Sequence, residues 1–201
     1  MPSKSTFSVA PISAFVDKYL KYSRESIDLF AKDITWATHT NDINPITKAE
    51  HHMDALDFLN MLNARGVRED LAIFDPPYSP EQLKRSYDNM GLKMTGTCAL
   101  RTANWSKERD VLSQCIEVGG RCLSFGWDSN GMGRKRGFIL EEILLVCHGG
   151  GHNDTICLSE KKVSEQVLLW PPSKQGPQQT QYSMLSTNPS SNCSGASENA
   201  L

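Results

Sequence analysis

The stretch Leu71-Ala72-Ile73-Phe74-Asp75-Pro76-Pro77-Tyr78 decides how the rest of the chain is read. A short apolar run stopped by Asp-Pro-Pro fits a strand buried on both faces of a parallel sheet. In open α/β sheets ligands sit just beyond the carboxyl ends of the strands, and that is where Asp75 falls. The two prolines fix φ and delete two amide donors, so the backbone leaves the sheet stiffly. Asp75 offers a carboxylate acceptor, the Pro76 carbonyl a second acceptor, and Tyr78 a flat face for stacking. These parts suit a planar exocyclic amine such as adenine N6 or cytosine N4. Its lone pair is delocalised into the ring. Acceptors on both N–H bonds favour sp³ geometry and aim the nitrogen at a methyl donor. Positioning of this kind contributes roughly 7–11 kcal/mol of barrier lowering, and stacking adds about 1–3 kcal/mol of base binding. Alone, the tetrapeptide is equally a turn; the strand before it and the helix after it favour the functional reading.

Working outward, Ser79-Pro80-Glu81 opens and Gly91 closes a helix over 79–91. Upstream, Leu56, Leu59 and Leu62 recur at helical spacing behind Asp54, a capping residue, within 52–62. Two short runs, 27–31 and 38–45, precede that helix, and Ile12, Phe15, Val16, Tyr19 and Leu20 mark an amphipathic helix after Pro11. Downstream, a helical stretch over 105–118 ends at Gly119-Gly120, followed by strands at 121–127, 141–148 and 155–162. Gly149 to Asp154 join the last two as a hairpin-like connection. Strand–helix alternation closed by two adjacent strands predicts an α/β fold: a mostly parallel, Rossmann-like sheet with an antiparallel strand at or near its edge.

The chain has 201 residues and a net charge of −2, so a whole-molecule basic field for nonspecific nucleic-acid binding is excluded. Any nucleic-acid contact must come from a local patch. No apolar run reaches the roughly 18 residues of a membrane span, and the N-terminus is a poor signal peptide, so a cytoplasmic location and no membrane partner are expected. The six cysteines show no paired metal spacing and read as reduced, mostly buried thiols. His148 and His152 flank a glycine turn without a second ligand pair, so no metal is expected. From Pro171 the chain turns rich in Ser, Gln, Asn and Pro. The expected layout is an N-terminal helical extension (1–22), a main domain (23–168) and a disordered tail (169–201).

With these blocks in order, Ile27–Ala31, Thr40–Pro45, His52–Leu59, Phe74–Gln82, Ser124–Phe138 and Glu142–Ile156, the chain resembles amino methyltransferases that use S-adenosylmethionine. More narrowly it resembles the compact, phage-type DNA adenine-N6 methyltransferases, over residues 27 to about 162. The resemblance implies a class I methyltransferase fold with S-adenosylmethionine as cofactor and adenine in DNA as target. It implies that Asp75, Pro76, Pro77 and Tyr78 are the catalytic tetrapeptide. Asp28, Phe30 and Ala31 are expected beside the methionine portion of the cofactor, Asp42 on the ribose hydroxyls, and Asp54 near the cofactor adenine. Ser124, Phe125 and Trp127 are expected to line the target pocket, and Arg134, Lys135 and Arg136 to contact phosphate. The family's first loop reads Phe-x-Gly-x-Gly, whereas Phe30-Ala31-Lys32-Asp33-Ile34 contains no glycine. Only 11 residues lie between Phe30 and Asp42, so the first helix must be very short or replaced by a loop. There is no room for a separate recognition domain. Recognition then falls to 91–105 and 127–138, to a second copy or to a separate subunit. Cytosine N4, an RNA base or a protein glutamine are alternative targets. A catalytically inactive, nucleic-acid-binding subunit is the alternative outside enzymes.

Overall fold

The computed structural model describes residues 6–91 and 105–165. Among them six strands form one sheet: β1 Ser26–Asp28, β2 His39–Thr40, β3 Glu69–Phe74, β4 Ile116–Gly126, β5 Phe138–Val146 and β6 Thr155–Lys162. Their spatial order is β2-β1-β3-β4-β6-β5. β1, β2, β3 and β4 pair in parallel, while β6 is antiparallel to β4 and β5. The reversed strand therefore lies one place inside the edge, and β5 outside it returns to the common direction. This is the Rossmann-like α/β sheet that the strand–helix alternation predicts.

Four helices accompany it among the described residues, α1 Ala10–Leu20, α2 Ala55–Ala64, α3 Pro80–Asn89 and α4 Ser106–Gln114, and α1, α2 and α4 share core clusters with its strands. β3 shows why the centre is continuous in apolar residues. Leu71 and Ile73 join Ile12, Phe15 and Val16 of α1 in one core cluster. Ala72 and Phe74 join Phe58, Leu59 and Leu62 of α2 and Leu112 of α4 in the other. All four strand residues are at most 2% exposed. A strand covered on both faces has no room for polar alternation. The helix starts follow local chemistry. Asp54 Oδ1 accepts from the Leu56 amide at 2.9 Å, and Ser79 Oγ from the Gln82 amide at 3.2 Å. Pro80 occupies the first turn of α3, where a missing amide costs nothing.

Two features depart from the simple pattern. Residues 29–38 join β1 to β2 without a helix, as the short spacing requires. The helix expected to reach Gly119-Gly120 stops at Gln114, and β4 begins at Ile116. The buried Lys162 ammonium donates to the Ser113 and Ile116 carbonyls at 2.9 and 2.8 Å, and the Cys115 carbonyl accepts from the Glu69 amide of β3 at 2.9 Å. These partners replace the next helical turn. Gly119 (φ +99°) and Gly120, whose Cβ would lie 2.8 Å from Ile116 Cγ2, shape a bulge in β4 instead.

Cys115, Cys122 and Cys157 are buried free thiols, and Cys147 is exposed. Burial pushes Cys115 up to about 11 and Cys122 and Cys157 up to about 12, so these three are packing groups. Cys98, Cys193, most of the proposed recognition segment 91–105 and the 169–201 tail lie outside the described residues. Among the described residues no helix is long and apolar enough to cross a membrane.

Candidate active site

Because β1, β2 and β3 run parallel, their carboxyl ends deliver Phe30, Asp42 and Asp75 to one rim. A cavity of about 670 Å³ opens there, lined by Phe30, Asp42, Asp54, Asp75, Pro76, Pro77 and Tyr78 among others. That volume is in the range of small-molecule sites, roughly 300–1,000 Å³. The tetrapeptide after β3 and the two acidic positions after β2 and before α2 thus share one chamber.

Asp75 is 7% exposed and its Oδ1 accepts a hydrogen bond from the Tyr78 hydroxyl. Burial pushes its carboxyl above the ordinary range; the nearby Lys32 charge and the hydroxyls of Tyr78 and Thr6 pull it back. Burial and the adjacent Asp75 carboxylate push the Tyr78 phenol far upward, so it stays a donor. The Tyr78 amide donates to Gln82 Oε1 at 2.7 Å, and Trp105 Nε1 donates to the Pro77 carbonyl at 3.4 Å. The tetrapeptide is held from both sides.

Asp42 accepts from the Lys32 amide at 3.1 Å and the Asn44 amide at 2.8 Å, and burial raises its carboxyl. Asn41 donates to the carbonyls of Leu29 and Met53 at 3.2 and 3.1 Å and accepts from the Met53 amide at 3.1 Å. It staples β1, β2 and the approach to α2 into one wall. Asp28 and Ala31, expected to face a ligand, do not reach the surface; both are 1% exposed. Asp28 Oδ1 folds back to accept the Phe30 amide at 3.0 Å, and the Ala31 amide donates to the Asn41 carbonyl at 2.9 Å. They build the wall from behind. Burial pushes Asp28 up to about 8, against the pull of the Phe30 amide.

A second recess of about 50 Å³ lies behind the tetrapeptide and includes Ser124, Phe125 and Trp127. Trp127 meets the Tyr78 ring edge-on, centroids 5.7 Å apart, and its buried Nε1 has no partner among the described residues. Ser124 is 3% exposed and sits 3.8 Å from Cys122 Sγ. Phe125 lines this recess, and its ring also packs edge-on against Phe7 and Phe15, 5.2 and 6.3 Å away, in the α1 core.

The basic triplet divides. Arg134 and Lys135 are exposed. Arg136 is 4% exposed, paired with Asp110 Oδ1 at 2.6 Å and donating to the carbonyls of Met132 and Ser106. Its guanidinium ties the 131–137 loop to α4 and has no face left for phosphate. His148 Nε2 meets Thr155 Oγ1 at 2.8 Å, within the β5–β6 hairpin. Among the described residues no three His, Cys, Asp or Glu converge as a metal site.

Sequence reasoning missed Lys32, Thr6 and Asn41. Asn41 had a signal, standing directly before Asp42 at the end of β2. Lys32 adopts φ +54° and lines the cavity where a glycine is usual. Thr6 reaches the rim from a segment remote in sequence.

No protein-family model matches the chain, and no curated protein is similar to it by sequence. Solved structures are similar in fold. SMU.776, described as a methyltransferase and crystallised with S-adenosylhomocysteine, superposes with a TM-score of 0.51 at 12% identity over 73% of this chain and 48% of its own. NSun6 from Pyrococcus horikoshii, solved with SFG, gives 0.48 at 14% identity over 76% and 52%. YhhF from Escherichia coli, described as a methyltransferase, gives 0.49 at 8% identity over 78% and 88%. The chain spans about half the length of the first of these structures. What the chain shares with SMU.776 at 12% identity is the fold, a Rossmann-like α/β sheet.

Proposed function

We propose that this chain is an S-adenosylmethionine-dependent amino methyltransferase acting on N6 of adenine in DNA. The observation that carries the reading is the single cavity joining Asp75–Tyr78, at the end of the central strand, to Asp42 and Asp54. A sulfonium nucleoside fits that lining. Its cationic centre is favoured among carboxylates, Asp42 keeps lone pairs for ribose hydroxyls, and Leu29, Met53 and Ala55 offer apolar surface to a base.

When bound, S-adenosylmethionine supplies an electrophilic methyl carbon on sulfur. The residues of the chain do the rest. Asp75 and the Pro76 carbonyl each accept one N–H of the target amine, which orients the nitrogen lone pair and spares it from the ring. Tyr78 then gives up its bond to Asp75 and presents its ring to the base. When the nitrogen takes the methyl group and the methyl carbon–sulfur bond breaks, the nitrogen would shed one proton, and Asp75 is a base placed to take it. For a duplex substrate, the base must first leave the stack, at a cost of a few kcal/mol. Arg134 and Lys135 are exposed cations offered to phosphate, and sequence recognition falls to 91–105 and 127–138, to a second copy or to a separate subunit.

The test is mass spectrometry of nucleosides from cells expressing the protein. N6-methyladenine in DNA, present with the native chain and absent with Asp75→Ala, is the expected result. N4-methylcytosine or a modified RNA base would transfer the same site to another amine. Unchanged methylation by Asp75→Ala would remove the mechanism. Absence of both modification and cofactor binding would leave a nucleic-acid-binding scaffold.

A further inference from the structure

Resting on the cofactor reading above, one residue of the first loop acquires a specific task. Four amides of the loop after β1 are spent internally. The Phe30 amide binds Asp28 at 3.0 Å, Ala31 binds the Asn41 carbonyl at 2.9 Å, Lys32 binds Asp42 at 3.1 Å and Ile34 binds the Ala31 carbonyl at 2.9 Å. None of these four amides is offered to a ligand. The corner is also acidic: besides burial, the charges of Asp75 and Asp42 raise the carboxyl of Asp28. Lys32 is the cation that offsets all three. It lines the cavity in a left-handed backbone conformation, φ +54°, which a lysine adopts only against steric resistance. Strain of this kind persists where surrounding contacts enforce it, and it clusters at positions that serve a ligand.

The methyl donor carries one anionic group. Its α-carboxylate is separated from the sulfur by a short carbon chain, so a sulfur held near Asp75 brings the carboxylate into this acidic corner. There it needs a cation or free amides, and the amides of Phe30, Ala31, Lys32 and Ile34 are taken. We propose that Lys32 receives that carboxylate, so that a side-chain ammonium does the work a glycine loop leaves to its backbone. The fold thus keeps an anion site in a loop with no glycine.

Calorimetry with the full chain tests this, using S-adenosylmethionine and its decarboxylated analogue, which keeps the sulfonium and the amine. Lys32→Gln should weaken S-adenosylmethionine by about tenfold or more, the scale of one charge-assisted contact. It should leave the decarboxylated analogue unchanged. Lys32→Gly relieves the positive φ, so it should raise the Tm and yet show the same carboxylate-specific loss. Arg85, the other cation lining the cavity, serves as the contrast, and Arg85→Gln should not discriminate between the ligands. Equal losses for both ligands, no loss, or a carboxylate-specific loss in Arg85→Gln alone would overturn the assignment to Lys32 while leaving the cofactor reading intact. A native chain that binds neither ligand would overturn both.

Discussion

Tyr78 and Asp75 are already bonded to each other in the free protein, so part of the tetrapeptide's acidity is set by its own members. The tyrosine hydroxyl lowers the Asp75 carboxyl that burial raises. Tyr78→Phe keeps the ring and deletes that hydrogen bond, so the carboxyl must move upward. If an ionised Asp75 is needed, the acid limb of methylation rate against pH shifts to higher pH in this variant, with the plateau less affected than the limb. Asp28 yields a prediction with no enzyme assay. Its pKa near 8 lies above the ordinary value of 3.8, so between those values the folded chain holds a proton that the unfolded chain has released. Its contribution to stability is fully present below the unfolded value and is lost as pH rises through the folded one. Asp28→Asn keeps the acceptor for the Phe30 amide and removes the titration. Urea melts of this variant from pH 4 to pH 8 should decline less steeply than those of the native chain, and parallel declines would contradict the buried-acid account.

At the scale of elements, what is legible in the sequence follows local chemistry. Asp54 and Ser79 announce helix starts because capping is settled within a few residues. Asp54→Ala should therefore cost about 1 kcal/mol of stability in thermal melts, whereas Asp54→Ser should recover the cap without the carboxylate. A weaker cofactor affinity that persists in the serine variant would belong to the cavity rather than to the helix. The basic triplet misleads because its spacing carries no sign of what α4 brings against it. Arg136 lies under Asp110 and two carbonyls, so Arg136→Ala should cost roughly 2 kcal/mol or more. Arg134→Gln with Lys135→Gln should leave stability within about 0.5 kcal/mol. That pair should weaken DNA binding and reduce its slope against log salt by about 0.9 for each phosphate no longer neutralised. The core packing of Phe125 is hidden from the sequence for the same reason as that of Arg136. Its core partners lie on α1 and the segment ahead of it, more than a hundred positions upstream, and no local window contains them.

Over the whole molecule, the parallel order of β1, β3 and β4 is readable from β3 alone, since an uninterrupted apolar run implies cover on both faces. The outer edge is less so. β5 exposes Leu140 (51%), Ile143 (54%) and Leu145 (56%) at the rim of the sheet, a pattern prone to association. Ile143→Lys should change stability by less than about 0.5 kcal/mol and lower light scattering at high protein concentration. The chamber's wall carries a different lesson. Thr6, 3% exposed, lines the main cavity, and its hydroxyl helps set the acidity of Asp75. That threonine therefore ties the start of the described fold to the wall of the chamber. Thr6→Val would withdraw that hydroxyl and let the Asp75 carboxyl drift upward, so a single exchange ahead of the first helix would retune the chamber's proton balance.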